Sequence, residues 1–446
     1  MKIVIAGAGA VGYHLAKLLS KENQDITLID SDIDTLDQIG DKLDVMTIYG
    51  DAAYIGILKE AEVHKADLFI AVTTSESTNL LTSILAKQRG AKKTIARVRN
   101  KEYLTKEQKE YFRTIGIDSI ISPEHFAAQE IRRLVRRASL TDIFDFEDGK
   151  LSIVGFSIDN HSKLVGTSIS AINNDKNTFD YRGVALLRND TTIIPRGHTI
   201  LEKGDHLYLS IRTKDIDKVM PFVGKQKQAI KRIMIAGDTL LALRTAELME
   251  DEYKVSVIMR NKERGKEFLD NLRNCLITIG DPSNIDLLEQ EGLAHMDAFI
   301  ALTPDSEINI LSSLIAEDRG VYKTIALVDN EVYTHISQSI GVDTIINKKL
   351  IAANNIFRFV RKGSVKAITT LHGVDAEIIE FEISIDNKLT YKTLSEMNIP
   401  QEAIIAGVIR GSKTIIPGGN FQLKIGDKVI VFAMPEAITQ VEELFK

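Results

Sequence analysis

The sequence predicts an α/β protein: two tandem copies of a doubly wound, Rossmann-like parallel-sheet lobe, each followed by a small α+β lobe. Three observations predict this fold class. The chain repeats itself, short apolar segments alternate with helical patterns in the long part of each copy, and short strands separated by turns fill the short part. Alternating strands and helices favour right-handed βαβ crossovers and therefore parallel sheets.

An internal repeat relates the two halves of the chain. IVIAGAGAVG at 3–12 aligns with IMIAGDTLLA at 233–242, and TTIIPRG at 191–197 aligns with KTIIPGG at 413–419. Self-similarity over such a distance indicates a duplicated unit. The predicted domains are a first N-lobe at 1–138, a first C-lobe at 139–224, a linker with the second N-lobe at 225–363, and a second C-lobe at 364–446.

The elements of the first N-lobe follow the chain in strand–helix alternation. The strand candidates are KIVIA, DITLID, DVMTIY, DLFIAV, KTIARV and DSIIS, and the helix candidates are HLAKLLSK, NLLTSILAKQRG and FAAQEIRRLVRR. In the C-lobes, VALLR-ND-TTIIP and AGVIR-GS-KTIIP predict hairpins. The basic run at 132–137 predicts a solvated helix face, and a contact between lobes or subunits is the alternative.

Composition limits the class of protein. Apolar residues make up 44% and charged residues 26%, which is typical of globular proteins, and the net charge of −6 argues against nucleic acid as the main partner. No apolar stretch approaches the roughly 20 residues that span a bilayer. The one cysteine, Cys275, cannot form an intrachain disulfide, so we expect a cytoplasmic protein. No zinc-binding pattern is present, and we expect no metal site.

A glycine motif follows the first predicted strand and opens the first helix. Gly7, Gly9 and Gly12 form G-x-G-x-x-G, in which the first glycine permits a tight turn, the second lets a pyrophosphate approach and the third lets helix and strand pack closely. Asp30 ends the next strand, where an acid bonds ribose hydroxyls and disfavours a 2′-phosphate. The motif therefore predicts binding of NAD(H), and the alternative is a turn with a helix cap.

Polar residues also follow the later strands, at the sheet edge where such folds bind ligands. Asp51 is a candidate contact to adenine or its ribose, with a helix cap as the alternative. Thr73, Thr74 and Ser75 offer hydroxyls and a helix start, with Asn79 on the helix behind them, and a plain helix cap explains them equally well. Arg97 is a candidate partner of the pyrophosphate, with a surface ion pair as the alternative.

No catalytic apparatus accompanies these residues. A dehydrogenase needs an acid–base or electrophilic group beside the nicotinamide. The first C-lobe offers only His161, His198 and His206, which we expect in turns and on a strand face. The sequence therefore favours a sensor over an enzyme, and the alternative is an NAD-dependent oxidoreductase with a divergent second half.

A family resemblance rests on GAGAVG, Asp30, YGD, AVTTSESTN and TIARVR, followed by a module with TTIIP and KGD. Over its whole length the chain resembles the bacterial Trk system potassium uptake regulatory proteins (TrkA), which consist of regulator-of-potassium-conductance (RCK) domains. The resemblance implies a non-enzymatic cytoplasmic subunit, peripheral on the inner face of the cell membrane, that binds NAD(H) and gates a potassium-conducting integral membrane subunit of the Trk type. It also implies other nucleotides in some members and a homo-oligomer, a tetramer of two-copy chains. By position, it places the NAD contacts on Gly7, Ala8, Gly9, Ala10, Val11, Asp30, Thr73, Thr74 and Arg97.

The second N-lobe carries an altered motif. Gly237 keeps the first glycine, whereas Thr239 replaces the second and Arg260 replaces the ribose acid. Leu327 stands where the first copy has Arg97, although Asp281 persists. We expect this lobe to bind NADH at least about a hundredfold more weakly than the first, since pyrophosphate and ribose contacts are lost. Either it serves subunit contacts without a dinucleotide, or it takes a changed ligand such as ATP or ADP through Arg260.

Overall fold

The structure is a computed structural model that separates into two compact units, Met1–Ala127 with Asn347–Val360, and Ala128–Ile346 with Arg361–Lys446. It describes residues 1–20, 24–138, 140–147, 149–158, 162–174, 179–189, 191–222, 229–329, 333, 342–360, 365–370, 376–384 and 388–445. His161 and the start of the predicted linker, 225–228, lie outside the described residues.

Six strands form the sheet of the first N-lobe. They are β1 Lys2–Ala6, β2 Asp25–Asp30, β3 Met46–Tyr49, β4 Leu68–Ala71, β5 Thr94–Arg97 and β6 Ser119–Ile121. The helices are α1 Ala10–Ser20, α2 Ile33–Gly40, α3 Ile55–Glu60, α4 Glu76–Gln88, α5 Lys106–Thr114 and α6 Pro123–Arg136. The strand order is β3-β2-β1-β4-β5-β6, and all pairs are parallel. The order reverses between β1 and β4, which creates the crevice where ligands bind in this fold.

Burial of their side chains explains why β1 and β4 become the central strands of this sheet. All four residues of β4 and the last four of β1 are buried, as expected for parallel strands covered by helices on both faces. Apolar side chains from β1, β4 and α4 share one core cluster with those of α3. The core therefore fixes the strand ends, from which the candidate site projects.

The first C-lobe is an antiparallel sheet of five strands. They are β7 Asp142–Phe146, β8 Leu151–Ser157, β9 Tyr181–Arg188, β10 Thr191–Ile193 and β11 His206–Arg212, with helices α7 Ile169–Asn174 and α8 Ile216–Phe222. The strand order is β10-β9-β11-β8-β7. The predicted hairpin over VALLR-ND-TTIIP corresponds to the pairing of β9 with β10.

The second copy repeats both lobes. Its N-lobe has β12 Arg232–Ala236, β13 Lys254–Met259, β14 Cys275–Ile279, β15 Ala298–Ala301, β16 Lys323–Leu327 and β17 Thr344–Ile346, with α9 Leu240–Met249, α10 Lys262–Asn271, α11 Ile285–Gln290, α12 Ser306–Asp318 and α13 Lys348–Val360. Its C-lobe has β18 Val365–Thr370, β19 Glu377–Glu382, β20 Ala403–Arg410, β21 Lys413–Ile415, β22 Asp427–Ala433 and α14 Ile438–Phe445. The orders, β14-β13-β12-β15-β16-β17 and β18-β19-β22-β20-β21, reproduce those of the first copy in the parallel sheet and in the hairpin β20–β21.

The predicted fold class is confirmed, whereas the domain limits divide differently from the compact units. Helix α13, assigned from sequence to the second N-lobe, packs against α1 and belongs to the unit of the first N-lobe. Helix α6 crosses from one unit into the other after Ala127. The compact units therefore end at residues other than 138 and 363, and the domain limits drawn from the repeat remain a prediction.

The basic end of α6 makes contacts instead of facing only solvent. Arg136 binds Glu252 of the second N-lobe through Nε at 3.0 Å and a terminal nitrogen at 2.6 Å, and Arg132 pairs with the same carboxylate. Arg133 pairs with Asp145 at 2.7 Å. The expectation of a purely solvated face is wrong, and the contact between lobes is confirmed.

Candidate nucleotide-binding site

The glycine loop of the first lobe is pressed against the end of β4. Gly7 has a φ of +107°, and a Cβ there would lie 2.7 Å from the backbone nitrogen of Thr73. A Cβ on Gly12 would lie 1.8 Å from the carbonyl oxygen of Gly7. Both positions admit only glycine, because any side chain would collide with backbone atoms. These two glycines therefore bring the loop, β4 and the first turn of α1 close together.

Gly9 differs from the other two glycines because the space beside it is open. A Cβ at Gly9 would meet no atom within 4 Å, so close packing of the protein does not require glycine there. Gly9 immediately precedes α1, whose first N–H groups have no partner within the helix and favour an anion. An open space beside a helix start fits a pyrophosphate.

The neighbouring positions contribute backbone rather than side chains. Ala8 and Val11 are buried, and Ala10 is exposed in the first turn of α1. Ala10 and Val11 can therefore offer only N–H groups and apolar surface, and the Ala8 N–H already donates to Oδ2 of Asp30. This arrangement suits a ligand whose phosphates are recognised by backbone amides.

Asp30 closes the other side of the glycine loop. Its Oδ2 accepts a 2.5 Å hydrogen bond from the Ala8 N–H, and its Oδ1 accepts one from Asp32 N–H at 3.0 Å. The carbonyl oxygen of Asp30 accepts from Gly50 N–H at 2.8 Å, which ties the end of β2 to the end of β3. The carboxylate is thus held at the loop, with lone pairs left for ribose hydroxyls, since a carboxylate accepts about four hydrogen bonds.

A buried asparagine joins the ends of β4 and β5. Asn79 is 1% exposed, and its Oδ1 accepts from the N–H and the hydroxyl of Thr73 at 2.8 and 2.7 Å. Its Nδ2 donates to the carbonyl oxygens of Thr73 and Arg97 at 3.1 and 3.0 Å. Asn79 therefore positions Thr73, whereas Ser75 provides the helix cap by accepting from Thr78 N–H at 3.2 Å. Thr74 is exposed between them.

Arg97 projects from the end of β5 into a partly buried ion pair. Its terminal nitrogen lies 3.2 Å from Oε1 of Glu124, which is 4% exposed in the first turn of α6. The second carboxylate oxygen of Glu124 is buried and has no hydrogen-bond partner in the described structure. The expected alternative, an ion pair of Arg97, is thus present, but it lies inside the site rather than on the surface.

Asp51 stabilises a turn rather than capping the next helix. Its Oδ1 accepts from Ala53 N–H at 2.8 Å, and its carbonyl oxygen accepts from Tyr54 N–H at 2.9 Å. The residue in the cap position of α3 is Tyr54. The helix-cap alternative for Asp51 is therefore wrong, and its role towards a ligand remains a prediction.

In the second N-lobe, Thr239 stands at the position of Gly9, and its side chain caps the helix that follows. The Thr239 hydroxyl donates to the carbonyl oxygen of Leu302 at 2.8 Å and accepts from Ala242 N–H at 3.2 Å. This side chain caps α9 and links the loop to the end of β15. Gly237 still packs as Gly7 does, since a Cβ there would lie 2.5 Å from the Leu302 oxygen. The lobe keeps the turn, and the Thr239 side chain stands where the first lobe has open space beside Gly9.

The two charged candidates of the second lobe bind each other. A terminal nitrogen of Arg260 lies 2.7 Å from Oδ1 of Asp281, and this hydrogen bond, with two from Ser283, lowers the pKa of Asp281 to about 2. Asp238 accepts from Asn261 N–H at 3.2 Å. Arg260 thus occupies the position of the ribose acid with opposite charge and already has an acidic partner.

Sequence reasoning missed Glu124 and the structural role of Asn79. A signal for Glu124 existed, because Arg97 and Glu124 are replaced together in the second copy, by Leu327 and Lys349.

Within the described residues, no group of three or more His, Cys, Asp or Glu side chains has a metal-binding arrangement, and no helix is long and apolar enough to cross a membrane.

Solved structures with this fold share its full length. The crystal structure of the GsuK RCK domain matches with a TM-score of 0.62 at 16% identity, covering 100% of this chain and 94% of that one. The GsuK channel bound to NAD matches with a TM-score of 0.61 at 16% identity, covering 100% of this chain and 78% of that one. At this identity the likeness shows the fold alone.

Family matches and sequence relatives cover both copies. The TrkA-N domain matches residues 3–123 and 233–348, and the TrkA-C domain matches 153–224 and 378–446. Trk system potassium uptake protein TrkA homolog 1 of Methanosarcina mazei is 33% identical, covering 100% of both chains. Trk system potassium uptake protein TrkA of Halomonas elongata is 31% identical over 100% of this chain and 99% of its own. The chain therefore belongs to the TrkA family, with the N and C domains of that family each present twice.

Proposed function

We propose that this protein is a cytoplasmic regulatory subunit of a potassium uptake system and that NAD(H) bound in its first N-lobe controls it. The observation that carries the proposal is the open space at Gly9, directly before the start of α1, in a glycine loop whose Ala8 N–H is bonded to the carboxylate of Asp30. Full-length relatives named Trk system potassium uptake protein support the potassium-transport part. The similar fold of a channel solved with NAD supports the cofactor.

The dinucleotide would be held by three groups of this chain. Amides after Gly9 would bind the pyrophosphate, Asp30 would accept from the adenosine ribose, and Thr73 with Arg97 would line the other half of the crevice. A carboxylate at Asp30 would repel a 2′-phosphate, so NAD(H) is favoured over NADP(H). Binding would need no chemical step at the nicotinamide.

Regulation requires that the ligand distinguish two arrangements of the protein. A ligand shifts an equilibrium only by its difference in affinity for the two states. Arg97 provides a route for such a difference, because its partner Glu124 lies on α6, which carries the chain from one compact unit into the other. A pyrophosphate that recruits Arg97 would change the charge facing Glu124.

The proposed partner is a Trk-type integral membrane subunit that conducts potassium, with this chain attached to its cytoplasmic face as a homo-oligomer, a tetramer.

The second N-lobe would not bind the dinucleotide. A smaller nucleotide such as ATP or ADP is its remaining candidate ligand, because Arg260 is exposed and could leave Asp281 for a phosphate.

Two measurements on the full chain test the proposal. Calorimetric titration should show one NADH site per chain, and Asp30→Ala should weaken it about tenfold or more, because hydrogen bonds to a charged group contribute roughly 1.5–3 kcal/mol. Potassium uptake by cells that contain a Trk-type membrane subunit but lack their own regulator should depend on this chain and change in Asp30→Ala. Uptake independent of the chain, or equal NADH affinity in both proteins, would overturn the proposal. Steady substrate-dependent oxidation of NADH would instead indicate an oxidoreductase.

A further inference from the structure

The two copies differ at the cap position of the helix that follows β3. In the second copy, Asn284 caps α11 by accepting from Leu287 N–H at 3.2 Å. The equivalent residue of the first copy is Tyr54, whose side chain makes no cap hydrogen bond to α3. Asparagine is among the best N-cap residues, and a tyrosine side chain cannot take its place. The first copy thus lacks a stabilising interaction that the second retains.

Tyr54 is also strongly exposed. Its relative exposure is 67%, and the following residue, Ile55, is 52% exposed. A large aromatic ring in water at a position suited to a small polar residue indicates a role other than stability. Tyrosine offers a broad apolar face with little conformational freedom to lose, which suits it to contact a flat partner.

The backbone places Tyr54 beside the adenosine end of the proposed site. Gly50 N–H donates to the carbonyl oxygen of Asp30, and Tyr54 N–H donates to the carbonyl oxygen of Asp51, both at 2.8–2.9 Å. The turn that carries Tyr54 therefore starts directly after Gly50, whose N–H is bonded to Asp30, the residue that would hold the ribose. In the sheet, β2 has β1 on one side and the edge strand β3 on the other.

The direction of the ligand follows from this order. The pyrophosphate leaves the ribose towards the start of α1, which follows β1. The adenine is attached to the opposite side of the same ribose, so it lies over the ends of β2 and β3. The first aromatic side chain after the end of β3 is Tyr54.

We propose that Tyr54 is a specificity-determining residue whose ring stacks on the adenine of the dinucleotide. This inference rests on the proposed function, since it names the contact for the adenosine half of that ligand. The second copy carries Asn284 at this position together with Thr239 and Arg260, so the aromatic ring and the phosphate and ribose contacts are absent from the same lobe. The cap is present where the ligand contacts are missing, and the ring is present where they are complete.

Substitution at the two matched positions tests the stacking. Tyr54→Asn in the full chain should restore the cap, so its thermal unfolding midpoint should be equal to or above that of wild type. Its affinity for NADH should fall roughly fivefold to tenfold, as expected for loss of one aromatic stacking contact. ADP-ribose should lose the same factor, because it contains the adenosine half, and Tyr54→Phe should bind as wild type does. The control, Asn284→Tyr, should leave NADH affinity unchanged.

A spectroscopic readout follows from the absence of tryptophan in this chain. Tyr54→Trp introduces a single tryptophan, which can be excited selectively over the tyrosines, and saturating ADP-ribose, which has no nicotinamide, should quench or shift its emission. Asn284→Trp should not respond. If Tyr54→Asn binds NADH and ADP-ribose within twofold of wild type, or if the Tyr54→Trp emission does not change, the stacking role is refuted while NADH binding by wild type leaves the proposed function intact. Absence of NADH binding in wild type would overturn both.

Discussion

Gly9→Thr should remove dinucleotide binding without damaging the fold. The substitution introduces into the first lobe the residue that the second lobe carries as Thr239. A Cβ at Gly9 meets no protein atom within 4 Å, and Gly9 is not among the residues with positive φ, so a threonine fits the backbone. In the second lobe the same residue caps its helix through a 3.2 Å hydrogen bond from Ala242 N–H.

The expected magnitudes separate binding from folding. Threonine and glycine differ by only a few tenths of a kcal/mol as helix caps, so the stability of the lobe should be nearly unchanged. The side chain occupies the space of the pyrophosphate and satisfies amides that would bind it. Loss of two or three charge-assisted hydrogen bonds, each about 1.5–3 kcal/mol, corresponds to at least about a hundredfold weaker NADH binding.

Calorimetric titration with NADH and thermal unfolding of the same preparations measure both quantities. The matched control is Gly7→Ala, which should lower the unfolding midpoint, because its Cβ would lie 2.7 Å from a backbone nitrogen and its φ is +107°. A Gly9→Thr protein that binds NADH within threefold of wild type would refute the reasoning. So would a Gly9→Thr protein that unfolds as early as Gly7→Ala.

Three further predictions concern charged groups. The double substitution Arg97→Leu with Glu124→Lys copies the residue pair of the second lobe. It should weaken NADH binding about tenfold without unfolding the lobe. Unchanged calorimetric titration curves would exclude Arg97 as a ligand contact. Lys323→Met removes a fully buried ammonium group that pairs with Asp343 at 2.8 Å and donates to the carbonyl oxygen of Leu140 at 2.7 Å. It should lower the free energy of unfolding in urea by about 3–5 kcal/mol, far more than Lys93→Met at the half-buried equivalent. Hydrogen bonds from two arginines lower the pKa of Glu252 from 4.5 to about 2, so its contribution to stability should be complete above pH 4.5 and lost as pH falls towards 2. Glu252→Gln should lower the free energy of unfolding by less than about 1 kcal/mol at pH 7. It should also remove the loss of stability between pH 4.5 and 2 from urea unfolding curves. Equal curves for both proteins at every pH would contradict a stabilising ion pair at Glu252.

The sequence sufficed for the fold because the repeat and the buried strands leave strong patterns. Segments such as IVIA and FIAV are apolar throughout, as expected for strands covered on both faces, and the glycine motif marks where the first strand meets its helix. In the first N-lobe the strand limits differed by at most two residues, for example Met46–Tyr49 within DVMTIY, whereas β9 and β20 of the C-lobes begin three residues before VALLR and AGVIR. The observed order β3-β2-β1-β4-β5-β6 is the one typical of the doubly wound topology.

The missing parts depended on contacts between residues far apart in the chain. Glu124 faces Arg97 only because β5 and β6 are neighbours, and nothing local to either residue indicates the pair. The placement of α13 against α1 likewise has no local signal, because helical spacing indicates an apolar face but not what covers it. Thr239 was recognised as an obstacle, but its hydrogen bond to Leu302 required the register of β12 with β15.

A structure of the full chain soaked in NADH tests the central claim most directly, namely that the first N-lobe holds a dinucleotide and the second does not. The predicted result is ordered NADH in the first lobe only, with its pyrophosphate beside Gly9, its adenosine ribose on Asp30, and the Thr239 hydroxyl still bonded to Leu302 in the second lobe. Well-ordered NADH at full occupancy against Gly237, or none beside Gly9, would contradict it.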